Sequence, residues 1–216
     1  MNIHNNINHL INKIGPSVKL VAVSKTRSYE EILKAYDSGQ KIFGENRVQE
    51  LVEKYNKLPK DIKWHMIGHL QKNKVKYISS FIDLIHSLDR VSLAEEINKC
   101  AKKEYRKIDC LIQLKISRED TKFGLEPSKI DNFYSELLNF SHLNIVGLMG
   151  MASFTNDESL IEYEFQTIES IYNKLKDINP NINTLSIGMS DDFEIAIRNG
   201  SNMVRVGSKI FGNRNQ

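Results

Sequence analysis

Eight short apolar runs rich in β-branched residues alternate with longer stretches of helical period, and this alternation leaves few folds open to the chain. The first run, Val18-Lys-Leu-Val-Ala-Val-Ser24, is nearly continuous in its apolarity, as a strand covered on both faces must be. Similar runs span 41–44, 62–68, 81–87, 108–116, 143–149, 184–187 and 203–206. Helical patterns fill the intervals at 28–38, 48–58, 92–106, 127–140, 158–176 and 191–199, with a further one through Val75 and Ile78. At 28–38 the boundary chemistry is explicit: Ser28 is a candidate N-cap, Glu31 sits three residues on, and Gly39 closes the helix. Strands that alternate with helices pair in parallel, since a parallel neighbour is reached only through a crossover. Five such units would suit an open sheet. Eight predict an α/β chain closed into a single (β/α)8 TIM barrel. No linker rich in proline or serine divides the 216 residues, so one domain over 1–216 is expected, with residues 1–15 as an additional N-terminal helix packed on it.

Composition removes several function classes. With 40% hydrophobic and 26% charged residues, a chain of this length buries a core without disulfides or structural metal. Cys100 and Cys110 lack C-x-x-C spacing and read as reduced thiols of a cytoplasmic protein. A net charge of +3 is too small and too dispersed for a nucleic-acid partner, and Lys72-Asn-Lys-Val-Lys76 reads as a solvated helix face. No run approaches the length of a membrane-spanning helix, so no membrane partner is expected. The N-terminus is polar, without a secretory layout, and Ile3, Ile7, Leu10, Ile11 and Ile14 recur at helical spacing before Gly15-Pro16. His65 and His69 are interrupted by Gly68 and belong to no His-Glu-x-x-His motif, so a zinc site is not expected.

Barrels of this kind carry their reacting groups at the C-terminal ends of the strands. That rule selects Lys25, Asn46, His65 with Gly68, Met149-Gly-Met151, Gly188-Met-Ser190 and Arg205-Val-Gly-Ser208. Lys25 has two readings: a solvated strand terminus, or an amine desolvated by the apolar run before it and thereby made nucleophilic. Gly188 to Ser190 and Gly207-Ser208 each set glycine and a hydroxyl before a helical stretch, in the loops after strands seven and eight where barrels frequently bind phosphate. Ser190 and Ser208 are also good helix caps and need no ligand to explain them. Arg205 lies inside the apolar strand Met203-Val-Arg-Val206 and must find an acceptor, either a structural ion-pair partner or a ring nitrogen of a bound cofactor.

These segments also match a known pattern. Val21-Ala-Val-Ser-Lys25, Phe43-Gly-Glu-Asn46, Trp64-His-Met-Ile-Gly-His-Leu-Gln-Lys-Asn-Lys74, Lys122-Phe-Gly-Leu125, Gly147-Leu-Met-Gly-Met151, Leu185-Ser-Ile-Gly-Met-Ser-Asp-Asp192 and Val204-Arg-Val-Gly-Ser-Lys-Ile-Phe-Gly212 occur in order. In these the chain resembles the pyridoxal phosphate homeostasis proteins. The resemblance implies a fold similar to the barrel domain of alanine racemase, with pyridoxal 5′-phosphate (PLP) at the barrel mouth as a Schiff base on Lys25. It further implies that Ser190, Gly207 and Ser208 hold the phosphate, that Arg205 faces the pyridine nitrogen, and that Asn46 and Met189 line the cofactor. Two positions depart from the pattern: Ser208 stands where threonine is more usual, and His69 where many relatives carry proline.

The expected role is to hold PLP and to buffer it or pass it transiently to apo-enzymes, not to turn over a substrate. An arginine opposite the ring nitrogen leaves that nitrogen unprotonated and weakens the ring as an electron sink. A racemase also needs a second acid/base, supplied in alanine racemase by a further β-domain, and only Asn213 to Gln216 follow the last motif here. The alternative is an enzyme related to the amino-acid racemases. A monomer is expected.

Overall fold

The computed structural model describes residues 2–119 and 123–212. Lys122, which opens one of the motif segments, and the tail from Asn213 to Gln216 lie outside them. Eight parallel strands close into a barrel in sequence order: β1 (Lys19–Val23), β2 (Ile42–Glu45), β3 (Lys63–Met66), β4 (Leu84–Leu88), β5 (Ile108–Leu114), β6 (Leu143–Gly150), β7 (Thr184–Ser186) and β8 (Met203–Val206). Closure is made by β1 against β8, with Val21 opposite Arg205 and Ala22 opposite Val206. The eight-stranded barrel expected from the alternating pattern is therefore present.

The helices are α1 (Ile3–Ile14), α2 (Tyr29–Asp37), α3 (Val48–Lys57), α4 (Val91–Lys103), α5 (Ile130–Leu137), α6 (Glu158–Ile178), α7 (Phe193–Arg198) and α8 (Ser208–Phe211). The additional helix α1 packs on α2 and α8, burying Ile3, Ile7, Leu10 and Ile14, while Ile11 stays 43% exposed beside the stripe. The capping box at α2 is complete: Glu31 N–H donates to Ser28 Oγ, and the Glu31 carboxylate accepts from Ser28 N–H.

Two apolar layers follow from strand alternation. Outward residues such as Ala22, Phe43, Trp64, Ile85, Ile112 and Val204 pack under the helices. Inward residues Val21, Leu84, Leu111, Met149 and Met203 form a second apolar cluster in the barrel interior. The amphipathic stripe on α6 is buried at Ile161, Phe165, Ile168, Tyr172 and Leu175.

Two elements differ from expectation. The stretch through Val75 is a 3-10 helix, Lys72–Tyr77, closed by i→i+3 bonds such as Lys74 N–H to Gln71 O and Ile78 N–H to Val75 O. Its Val75 is buried while Lys72 and Lys76 are exposed, the solvated face expected of that basic run. Strand four begins at Leu84, not at residue 81. Phe81 and Ile82 donate backbone N–H bonds to Ile78 O and so finish the preceding turn, and apolar character alone does not distinguish a buried turn from a strand.

Candidate functional site

The C-terminal rim of the barrel gathers most of the residues singled out above. Lys25 follows β1 by two positions and is half-buried. The loop that carries it is held by a buried ion network. Lys54 Nζ, from α3, donates to Ser24 O at 2.7 Å, to Glu45 Oε1 at 2.8 Å and to Glu50 Oε1 at 2.7 Å. Ser24 Oγ donates to the same Glu45 oxygen at 2.6 Å, and Thr26 N–H donates to Glu50 at 2.6 Å. Thr26 has φ +66°, an unfavourable region for a β-branched residue, so this bond stabilises a strained backbone next to Lys25. Burial raises the Glu45 carboxyl pKa against the lowering pull of Lys54.

At the ends of β7 and β8 the second half of the site is built from backbone turns. Gly188 has φ +95°, and a Cβ there would meet Ala196 Cβ at 2.6 Å. That conformation is open to glycine and closed to almost any other residue. Gly188 O accepts from Arg205 N–H at 3.0 Å, and Met189 N–H donates to Asp192 Oδ1 at 2.6 Å, so the loop is tied both to β8 and to itself. Gly207 N–H donates to Ser190 Oγ at 3.3 Å, which joins the two loops. Gly207 lies against β1, where a Cβ would come within 3.2 Å of Val23 O. Ser208 is exposed at the start of α8, and Asn46 and Met189 are each half-buried at their strand ends.

Arg205 is 4% exposed and bonds neutral acceptors: Nη1 donates to Ser186 O at 2.6 Å and Ser186 Oγ at 2.8 Å, and Nη2 donates to Gly150 O at 2.9 Å. Among the described residues no carboxylate lies within ion-pair distance of it, so the structural ion pair left open above is not formed there. Burial lowers its pKa to about 10, with Asp192 pulling upward, and the group stays protonated at neutral pH.

A family model of the alanine racemase N-terminal domain matches residues 1–215. A pyridoxal phosphate homeostasis protein of Pasteurella multocida is 40% identical over 220 residues, covering 98% of this chain and 94% of that one. The chain belongs to the alanine racemase N-terminal domain family and, within it, to the pyridoxal phosphate homeostasis proteins. PipY of Synechococcus elongatus, solved with PLP bound, superposes on this homeostasis-family chain with a TM-score of 0.89 at 32% identity, over 97% of this chain and 100% of that one. An alanine racemase of Clostridium difficile 630 shares the fold at a TM-score of 0.81 and 17% identity, across 100% of this chain and 56% of the racemase.

One rim assignment is corrected within this homeostasis-family barrel. His65 does not face the mouth. Its ring lies in the barrel interior, 2% exposed, with Nδ1 3.0 Å from His86 Nε2 and Nε2 3.3 Å from Asp83 Oδ2. His69 stacks on Phe123 with ring centroids 4.1 Å apart, and its Nδ1 lies 3.7 Å from Asp89. Sequence reasoning missed Lys54, Glu45, Ser186 and His86. Lys54 did leave a signal, since it falls on the buried stripe Val48, Leu51, Lys54 of α3. A charge on an apolar stripe asks for a buried partner.

Proposed function

We propose that this protein binds PLP for intracellular PLP homeostasis, holding it covalently on Lys25 and buffering it or delivering it to apo-enzymes by transient contact. The observation that carries the reading is the convergence, on adjacent strands, of a half-buried amine and a buried guanidinium that bonds only neutral acceptors among the described residues. Among the described residues, Nη1 and Nη2 of Arg205 make three hydrogen bonds, all to neutral acceptors. A buried cation without a counter-charge is costly, so an acceptor in the mouth, such as a pyridine nitrogen, is favoured there. Gly207 N–H joins the two turns at the phosphate end through Ser190 Oγ, and Ser208 heads a helix whose first amides have no intrahelical acceptor. Asn46 and Met189 would flank the ring. PLP-bound PipY, at 32% identity over nearly the whole chain, supports the same ligand.

When bound, PLP supplies an aldehyde that condenses with primary amines and a ring that withdraws electrons. Lys25, in its neutral form, would supply the primary amine for that aldehyde with release of water, and hydrolysis would return both partners. This is reversible retention of a reactive aldehyde. Arg205 would face the ring nitrogen and keep its own proton, which suits storage more than carbanion chemistry.

A visible spectrum of the purified protein, with and without borohydride, beside Lys25→Ala tests the reading. The expected result is an absorbance band quenched by reduction, a single PLP adduct mapped to Lys25 by mass spectrometry, and loss of the covalent signal in the variant. An adduct on another lysine, or none, would overturn it. Incubation with a panel of L-amino acids followed by chiral and keto-acid analysis separates carrier from catalyst, since sustained turnover contradicts the carrier role.

A further inference from the structure

Barrel interiors of this fold are filled by apolar layers. Here a polar chain crosses the interior instead. It begins at Arg205 on β8, whose Nη1 lies 2.8 Å from Ser186 Oγ on β7. Ser186 Oγ is 3.2 Å from His86 Nδ1 on β4, His86 Nε2 is 3.0 Å from His65 Nδ1 on β3, and His65 Nε2 is 3.3 Å from Asp83 Oδ2. Four of these residues are at most 4% exposed, whereas the Asp83 side chain is 43% exposed. Asp83 opens on a cavity of ≈ 250 Å³ at the N-terminal mouth, opposite the cofactor end, lined also by Lys19, Lys63 and Asp109.

Both ends dictate where the protons lie. A guanidinium only donates, so Ser186 Oγ accepts from Arg205. The hydrogen bond from His65 holds the Asp83 pKa below its ordinary value, so at neutral pH the carboxylate only accepts and His65 carries its proton on Nε2. Burial disfavours the charged form of both imidazoles. A neutral His65 accepts at Nδ1, so His86 donates from Nε2, accepts at Nδ1 and receives the hydroxyl proton of Ser186. Every bond then points from the cation to the carboxylate, and each imidazole nitrogen and the Ser186 hydroxyl has its partner. A half-satisfied buried network costs more than an apolar layer, so a complete one drawn from four strands needs a reason to be there.

We propose that Ser186, His86 and His65 are positioning residues, a one-directional hydrogen-bond chain that locks the Arg205 guanidinium toward the ring nitrogen of PLP and anchors it on Asp83 at the far mouth. The proposal rests on the cofactor reading above. Two strong acceptors on Ser186 hold one edge of the guanidinium, which leaves the remaining N–H groups in a fixed direction. Without the chain, the hydroxyl turns to other acceptors and the guanidinium gains a rotational choice.

The test has two arms. In the ligand-free protein, long-range ¹H–¹⁵N spectra of the histidine rings at about pH 7 should show His65 and His86 neutral, both protonated at Nε2. An Nδ1–H tautomer or a charged ring at either position overturns the chain. In the PLP-loaded protein, Ser186→Ala and His86→Leu are compared with the parent. Both should still yield the reduced adduct on Lys25 but release PLP roughly tenfold faster, the scale of one hydrogen bond to a charged group. The pH midpoint of the bound absorbance should also rise, since a looser cation repels a protonated cofactor less. A parent that binds PLP alongside Ser186→Ala with unchanged release and midpoint defeats this proposal alone. A parent with no PLP adduct defeats the cofactor reading, and this one with it.

Discussion

At the scale of single residues, Gly188 is the position where backbone geometry and site geometry are the same constraint. Its φ of +95° and the 2.6 Å approach of any Cβ to Ala196 both forbid a side chain, while its carbonyl fixes Arg205 N–H. Gly188→Ala is expected to destabilise the protein by about 2–4 kcal/mol, combining left-handed strain with overpacking. Urea denaturation measures this, and a loss below about 1 kcal/mol would show that the turn relaxes. The rim residues Lys25, Ser190, Arg205 and Gly207 were legible from sequence because strand periodicity alone brings them to one end of a barrel. Ser186 and His86 were not, since they are 100 residues apart and meet only through closure of the barrel. His65 was misplaced for the same physical reason. A place within an apolar run does not say which way along the barrel axis a side chain finds its partner.

Among the elements, the order and type of the eight strands followed from apolar runs, whereas boundaries failed where a buried turn was as apolar as a strand, as at Phe81 and Ile82. Nothing in the local pattern reveals how α3 is fastened to the loop bearing Lys25, because Lys54 finds a carboxylate 9 positions away and a backbone carbonyl 30 positions away. Lys54 is 3% exposed and Glu45 is fully buried, with one Glu45 oxygen unpartnered among the described residues. Removing only the cation leaves a carboxylate in the interior. Lys54→Met should therefore cost about 3–5 kcal/mol, and the double variant Lys54→Met with Glu45→Gln distinctly less than the sum of the single losses. Denaturation midpoints of the three variants give the coupling. Additive losses would show that the pair does not act as a unit.

For the molecule as a whole, the interior chain ties stability to pH. His65 and His86 have pKa values lowered by burial, that of His86 far below the ordinary range. The charged groups around the pair are Lys19 from β1, Lys63 from β3, Asp83 at the start of β4 and Arg205 from β8; of these only Asp83 favours protonation. In the unfolded chain both imidazoles titrate near 6.5. Above that pH neither state binds the proton and nothing is gained or lost. Below it the unfolded chain takes up protons that the native barrel refuses, so stability falls as pH drops, by up to about 1.4 kcal/mol per pH unit for each ring. Glu45 works the other way: its raised pKa makes the native state the better proton acceptor over the carboxylate range, so acidification there partly offsets the loss. Urea denaturation at intervals from about pH 7.5 down to 5 should show the parent declining below about 6.5. His86→Leu should start less stable at neutral pH, since it strands the Ser186 hydroxyl and His65 Nδ1, yet lose stability with roughly half the parent's slope. Equal slopes in the two proteins would mean that the buried rings do not set the acid limit of the fold.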